Sequence, residues 1–192
     1  MPVYNDISGD TRVHVRTGSP QAPPDRREVL RPPCAADALG IHRLAADTGV
    51  LDVNSVYAYA LLATDFAGTS IVAERDGGIV GFIVGYRPPS RPEVLFVWQV
   101  AVAPSGQGAG LGAAMIDALV ERVGTDGGGR PVTVEATVAP SNSASRAFFG
   151  AFARRHGVPL TERPHFAGEL LSEESGAHED EPMLSIGPIR TF

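Results

Sequence analysis

A segment near the middle of the chain, residues 94–115, constrains the fold more than any other part of the sequence. A run of mostly β-branched and aromatic residues leads into a turn with glycine at Gly108, Gly110 and Gly112, and a helical pattern starts at Leu111. Glycine lets an anion approach the backbone closely, and the first N–H groups of a helix lack intrahelical partners. The segment therefore predicts an α/β fold with a phosphate-binding turn at a helix N-terminus.

The same glycines have three alternative interpretations, namely a dinucleotide-binding turn, a P-loop and a turn without a ligand. Residues 108–113 also fit the dinucleotide pattern G-x-G-x-x-A, with Glu135 at about the spacing of a ribose-binding acid. About half of the chain precedes the turn, however, whereas that motif normally follows the first strand of a long parallel sheet. A P-loop is excluded because the chain contains no lysine. A turn without any ligand would leave Gln107 and the three glycines without a purpose.

Composition narrows the class of protein. A length of 192 residues suits one domain. The net charge of -6, with scattered arginines as the only cations, disfavours nucleic acid as a partner and favours small cationic substrates. Cys34 is the single cysteine, so we expect neither an intrachain disulfide nor a cysteine metal site. No apolar run approaches membrane-spanning length, and we expect a cytoplasmic enzyme without membrane contact.

Helical and strand patterns divide the chain into an extension and one domain. Residues 1–30 are rich in proline and charge, which predicts a flexible extension, and residues 31–192 form a single domain. The predicted elements are helices at 35–46, 56–67, 110–123 and 143–156 and strands at 70–74, 79–86, 94–102, 132–138 and 183–186. Asp76-Gly77 predicts a hairpin between the first two strands.

The turn and the order of elements resemble a known superfamily. The series V-x-P-x-x-Q-G-x-G-L-G-x-x-M at residues 102–115 resembles the coenzyme A pyrophosphate loop of the Gcn5-related N-acetyltransferases. That resemblance, over about residues 30–190, implies a central mixed β-sheet flanked by helices. Within the superfamily, four blocks at residues 51–59, 96–102, 137–145 and 178–188 resemble the diaminobutyrate acetyltransferases of ectoine biosynthesis. The resemblance implies acetyl transfer from acetyl-CoA to the side-chain (N4) amine of L-2,4-diaminobutyrate, and a homodimer.

The resemblance assigns the binding of acetyl-CoA to two neighbouring segments. Main-chain N–H groups between Gln107 and Gly112 are expected to bind the pyrophosphate. The strand at 100–102 is expected to pair with the pantetheine arm and to donate an N–H to the thioester carbonyl. Asn142 is expected to hold the arm from the other side, although it also fits a helix N-cap. The full set of expected cofactor residues is Val100, Ala101, Val102, Gln107, Gly108, Ala109, Gly110, Gly112 and Asn142.

Each residue expected to contact the substrate amine also has a structural interpretation. The resemblance assigns Asp52 and Glu181 to the diamine and to catalysis, but Asp52 also fits a helix cap and Glu181 a solvated acidic tract. Trp98 and Tyr57 fit either a core position or the pocket wall. A substrate amine is protonated at neutral pH, so a base must help. The sequence does not rank the candidates, which are Asp52, Glu135, His178 and Glu181.

One position departs from the superfamily. Phe149 stands where many relatives carry a tyrosine that protonates the departing thiolate, and a phenyl ring cannot donate that proton. The sequence also leaves two other functions open. The turn predicts the acyl donor rather than the acceptor, so another small amine could be the substrate, and a non-catalytic acyl-CoA sensor would keep the same turn.

Overall fold

The computed structural model describes residues 28–172 and 178–191, which form one mixed seven-stranded sheet with helices on both faces. The strands are β1 (Val29–Arg31), β2 (Ile71–Arg75), β3 (Gly78–Tyr86), β4 (Val94–Val102), β5 (Val132–Thr137), β6 (Leu160–Phe166) and β7 (Glu181–Ile189). The helices are α1 (Ala38–Thr48), α2 (Val56–Asp65), α3 (Leu111–Asp126), α4 (Ser143–His156) and the single turn α5 (Gly168–Leu171). This architecture confirms the predicted mixed sheet flanked by helices.

The strands follow the order β1-β2-β3-β4-β5-β7-β6, and only β4 and β5 run parallel. The β2–β3 hairpin turns at Asp76 and Gly77, both with positive φ (52° and 79°), as the Asp-Gly pair predicted. Helices α1 and α2 cover one face of the sheet around Ile41 and Phe82. Helices α3 and α4 cover the other face, where Met115 is fully buried.

Strands β4 and β5 separate soon after they meet. Their pairing spans only Val94–Phe96 on β4, although β4 continues to Val102. On its other side, β4 pairs Val97 with Gly85 and Gln99 with Val84 of β3, so Trp98 is an extra residue in a β-bulge. A bulge bends its strand and increases the local twist. The sheet therefore opens between the C-terminal halves of β4 and β5.

The structure differs from the sequence-based expectations at two strands. Strand β1 begins at Val29, inside the expected extension, whose residues 1–27 lie outside the described part of the chain. Strand β6 was not predicted, because every one of its residues is exposed and Pro164 interrupts the pattern. The β6–β7 register shifts between Arg163 and Phe166, as expected where a proline cannot donate to the ladder. None of the described helices is long and apolar enough to cross a membrane.

An ion-pair cluster joins β1 to the sheet and to the start of the helical layer. The Arg31 guanidinium donates to both carboxylate oxygens of Asp37, at 2.7 and 2.8 Å, and to Glu74 Oε2 at 2.7 Å. Asp37 is only 8% exposed and also accepts from the Cys34 backbone N–H at 2.8 Å. The hydrogen bonds from Arg31 lower the pKa of Asp37 below its usual range.

We expect Asp37→Asn to destabilise the fold at neutral pH by about 1.5 to 3 kcal/mol. The substitution removes the negative charge that accepts the two hydrogen bonds from the partly buried Arg31 guanidinium. The folded-state pKa of Asp37 is lowered, so its contribution is present above the unfolded carboxyl pKa of about 3.9 and is lost as the pH falls below that value. Urea unfolding at several pH values measures both effects. The exposed Glu121→Gln serves as the control. A difference between variant and wild type that stays constant down to pH 3 would contradict this assignment.

Candidate active site

Two adjoining cavities open where β4 and β5 separate. The first, of about 390 Å³, is lined by Asp52, Trp98, His178 and Glu181, and we name it the acidic cavity. The second, of about 420 Å³, lies over the start of α3, and we name it the cradle cavity. Both cavities are lined by Val50, Leu51, Val100, Asn142 and Ser145. A molecule in one can therefore meet a molecule in the other along β4.

The glycine turn leads into α3 through two glycines with positive φ. Gly108 and Gly110 adopt left-handed conformations, with φ of 76° and 79°, and a Cβ added to either would meet no other atom within 4 Å. Gly110 is the N-cap of α3, and the first backbone bond of the helix runs from Ala114 N to the Gly110 carbonyl at 2.9 Å. The N–H groups of residues 111–113 thus precede that bond and lack intrahelical acceptors.

The Gln107 N–H, which was expected to bind the pyrophosphate, already donates within the turn. Its backbone N–H donates to the Pro104 carbonyl at 3.3 Å, and its side-chain Nε2 donates to the Val102 carbonyl at 3.1 Å. These bonds close the turn on itself, so the cradle has its free N–H groups further along the chain. Residues 108–110 are exposed and do not line the cradle cavity, whereas Gln107, Gly112 and residues 100–102 do.

Asn142 is the N-cap of α4 and also lies beside the two cavities. Its Oδ1 accepts from the Ser145 backbone N–H at 3.0 Å, which makes it the N-cap of α4. The same side chain lines both cavities. Capping therefore holds Asn142 at the junction of the two cavities, where a ligand spanning them would pass.

Two carboxylates line the acidic cavity without partners of their own. Ser55 rather than Asp52 caps α2, because Ser55 Oγ accepts from Ala58 N at 3.1 Å. Glu181 is the first residue of β7. Within residues 28–172 and 178–191, neither the Asp52 nor the Glu181 carboxylate makes a hydrogen bond or an ion pair. Unpaired carboxylates beside a cavity attract an ammonium group.

His178 and Trp98 complete the walls of the acidic cavity. The Glu179 carbonyl can only accept, so His178 Nδ1, 2.7 Å away, is the donor of this bond and Nε2 is the ring nitrogen left for another contact. Trp98 is 44% exposed, so its core interpretation is wrong and its ring belongs to the cavity wall. Phe149 also lines the cavity and is 2% exposed.

Two expected site residues lie elsewhere. Tyr57 is 73% exposed on α2 and lines neither cavity. Glu135 is 5% exposed and accepts from Arg91 Nη1 at 2.5 Å, with Arg163 at 3.8 Å. This carboxylate is already neutralised by arginines and is outside both cavities, so the structure does not support Glu135 as a substrate ligand or a base.

Sequence reasoning missed two residues behind the acidic cavity. Gln99 is 6% exposed and lines the cavity, and Tyr59 Oη donates to its Oε1 at 2.9 Å. A signal existed for Gln99, which is the one side-chain amide within the apolar strand 94–102. Tyr59 gave no signal, because its spacing matched the apolar face of α2.

No group of three or more histidine, cysteine, aspartate or glutamate side chains lies close enough to hold a metal ion among the residues that the structure describes. The groups that the described site offers to a ligand are the free N–H groups of the cradle, the edge of β4 and the carboxylates of the acidic cavity. The site combines an anion-binding turn at the N-terminus of α3, two parallel strands that separate, and an acidic cavity beside them. These features together define the architecture of an acyl-CoA-dependent N-acyltransferase. The sequence model of the acetyltransferase (GNAT) family matches residues 37–153 and agrees with this class.

Curated relatives narrow the class further. The L-2,4-diaminobutyric acid acetyltransferase of Nocardia farcinica is 46% identical over 161 residues, covering 84% of this chain and 80% of the relative. That of Streptomyces anulatus is 44% identical over 160 residues, covering 83% and 89%. The chain therefore belongs to the L-2,4-diaminobutyric acid acetyltransferase family, which confirms the resemblance seen in the sequence.

Solved structures agree with this assignment. The diaminobutyrate acetyltransferase EctA from Paenibacillus lautus, solved with L-2,4-diaminobutyric acid and coenzyme A, is similar with a TM-score of 0.78 and 42% identity. The match covers 85% of this chain and 96% of that one. Ard1 from Thermoplasma volcanium shares the fold with a TM-score of 0.63 at 17% identity, over 86% of this chain and 98% of Ard1.

We expect Gly110→Ala to weaken acetyl-CoA binding about tenfold or more, because Gly110 directly precedes the free N–H groups of α3 and a Cβ strains its left-handed conformation. Isothermal titration calorimetry measures the affinity. Gly157→Ala is the matched control, since Gly157 caps α4 with φ of 63°, also in open space, and lines neither cavity. Both variants lose roughly 1 to 2 kcal/mol of stability from the backbone strain. Equal cofactor affinity in the two folded variants would contradict the cradle assignment.

Proposed function

We propose that the protein transfers an acetyl group from acetyl-CoA to the side-chain amine of L-2,4-diaminobutyrate, giving N4-acetyl-L-2,4-diaminobutyrate. The observation that carries the proposal is the pair of unpaired carboxylates, Asp52 and Glu181, in a cavity that adjoins the phosphate cradle. The relatives named above support the choice of substrate, since they carry that activity in their names.

The described residues fit acetyl-CoA as the acyl donor. The free N–H groups at the start of α3 suit a pyrophosphate, and each charge-assisted bond contributes about 1.5 to 3 kcal/mol. The half of β4 that lies beyond Phe96 has no β5 neighbour, so its edge is open for an amide-containing arm. When bound, acetyl-CoA supplies an activated thioester. The open β4 edge can orient that thioester and donate an N–H to its carbonyl oxygen.

The acidic cavity suits a diamino acid. Asp52 and Glu181 offer negative charge for the two ammonium groups of the substrate, and Trp98 offers a wall for its short carbon chain. An amine with a pKa near 10 costs about 4 kcal/mol to deprotonate at neutral pH. His178 Nε2, Asp52 and Glu181 all line the cavity and are candidate proton acceptors.

Phe149 cannot protonate the departing thiolate, and the proposed reaction does not require an acid at this position. The buried phenyl ring gives the acidic cavity an apolar end and packs edge-on against Phe148, with ring centroids 5.1 Å apart. A thiol has a reference pKa of about 8.5, so a thiolate can depart at neutral pH and take its proton from water. We propose this route in place of the tyrosine acid of other superfamily members.

We expect Asp52→Asn and Glu181→Gln each to raise KM for diaminobutyrate about tenfold or more while KM for acetyl-CoA stays within about twofold. Both changes keep the side-chain shape and remove a charge beside an ammonium group. Thiol release measures the rates, and mass spectrometry locates the acetyl group. The exposed Glu93→Gln, which lines neither cavity, is the control.

The same assay tests the function against its alternatives. A panel of other small amines shows whether the cavity prefers a different acceptor. Binding of acetyl-CoA with no thiol release for any amine would favour an acyl-CoA sensor. Normal kcat/KM for diaminobutyrate in both carboxylate variants would place the ammonium site outside the acidic cavity.

We also propose a homodimer, as the family resemblance implies. Strand β6 supports it, because all seven of its residues are exposed and it lies at the end of the described sheet. Leu160 and Phe166 on this strand are 36% and 42% exposed. An exposed edge strand with apolar side chains is a surface that proteins usually cover.

We expect light scattering to give twice the mass of one chain, both for the full protein and for a variant that lacks residues 1–27, with turnover unchanged. The truncation stops before Glu28, because Glu28 pairs with Arg75 and β1 begins at Val29. Removal of residues 1–31 is the comparison, and it should destabilise the fold since it deletes Arg31. A single-chain mass or lost turnover after the shorter deletion would contradict the proposal.

We propose that the product N4-acetyl-L-2,4-diaminobutyrate is used in ectoine biosynthesis and thus in osmoprotection, as the family resemblance implies. We also propose that the enzyme acts in the cytoplasm, as the composition indicates. Small cationic acceptors and a net charge of -6 are consistent with that role.

A further inference from the structure

Behind the acidic cavity, a buried chain of hydrogen bonds joins helix α2 to strand β4 and then to the loop that carries Asp52. Tyr59 Oη donates to Gln99 Oε1 at 2.9 Å, and Gln99 Nε2 donates to the Asp52 backbone carbonyl at 2.7 Å. Tyr59 is fully buried and Gln99 is 6% exposed. A buried polar group that loses its hydrogen-bond partner is destabilising, so these three residues keep a fixed arrangement relative to one another.

The direction of each bond in this chain is fixed by chemistry. The Asp52 carbonyl can only accept, so the Gln99 amide nitrogen must face it and the amide oxygen must face Tyr59. The Tyr59 hydroxyl gives its proton to Gln99 and receives the Asn54 backbone N–H at 3.5 Å. The tyrosine ring is held edge-on against Phe82, with centroids 6.3 Å apart.

Apart from the bond from Gln99, the loop that carries Asp52 is held by the packing of Leu51 against the core under α1 and α2 and by longer hydrogen bonds. Residues 50–55 form neither helix nor strand. The Leu51 N–H donates to Thr48 Oγ1 at 3.3 Å, and Asn54 Nδ2 reaches the Asp52 carbonyl at 3.5 Å. The bond from Gln99 is the shortest of those recorded for this loop, and it comes from the residue that follows the bulged Trp98.

We propose that Gln99, oriented by Tyr59, is a positioning residue that places the Asp52 carboxylate and thereby selects which amine of the diamino acid reaches the thioester. The inference rests on the proposed function. The two amines of L-2,4-diaminobutyrate differ by their distance from the substrate carboxylate. A shift of the Asp52 backbone moves the ammonium contact along the cavity and lets the N2 amine compete with the N4 amine.

Tyr59→Phe and Gln99→Leu test the proposal. Each should raise KM for diaminobutyrate about tenfold, leave KM for acetyl-CoA within about twofold, and yield measurable N2-acetyl product by mass spectrometry and NMR. Tyr59→Phe keeps the buried ring, so it carries the test if Gln99→Leu does not fold. Ser70→Ala is the control, because it also deletes a fully buried hydroxyl but lies outside both cavities.

A double-mutant cycle with Asp52→Asn separates positioning from plain stability. If Tyr59 acts through Asp52, then Tyr59→Phe has less than about a twofold effect on KM for diaminobutyrate in the Asp52→Asn background. Additive effects, unchanged regiochemistry, or equal changes in both KM values would overturn the inference. A wild-type protein that does not acetylate diaminobutyrate overturns the proposed function and this inference with it. An active wild type with unaffected variants overturns the inference alone.

Discussion

The short parallel contact between β4 and β5 is the constraint on which the rest of the site depends. Three residue pairs join the strands before the extra residue Trp98 bends β4 away. The sheet core remains intact up to that point, because Leu95 and Val134 are fully buried under α3. Beyond it, the backbone of β4 loses one neighbour and the two cavities open. A binding site thus arises from a local change in strand geometry while the surrounding core keeps its packing.

Adjacent residues at the bulge of β4 have opposite surroundings. Trp98, the extra residue, is 44% exposed and lines the acidic cavity, whereas Gln99 is buried and bonds to α2 and to the Asp52 loop. Two consecutive residues of β4 therefore belong to the cavity wall and to the hydrogen-bond network behind it. A regular strand would also alternate its faces, but it would keep β5 as a neighbour and leave no room for a ligand.

The sequence predicted those parts of the fold that have a clear local signal. The glycine turn, the Asp-Gly hairpin and the apolar strand 94–102 all lie where the pattern placed them, since each depends on a few neighbouring residues. Strand β6 depends instead on pairing with β7, a distant segment, and its seven exposed residues have no apolar alternation. The same limit applies to the site. Glu135 and Asp52 are both carboxylates near a motif, and only tertiary contacts show that one is paired with arginine and the other is not.

Charge is divided unevenly between the two cavities. Among the residues lining the cradle cavity, the only formal charge is that of Asp47, so a phosphate there depends on backbone N–H groups and the dipole of α3. The chain as a whole is negative, which opposes an anionic ligand at long range. The acidic cavity uses the same negative field to favour a cationic acceptor. Backbone N–H groups are therefore the donors available to an anion in the cradle cavity, and negative charge favours a cation in the acidic cavity. Asn142, the N-cap of α4, lies where the two cavities meet.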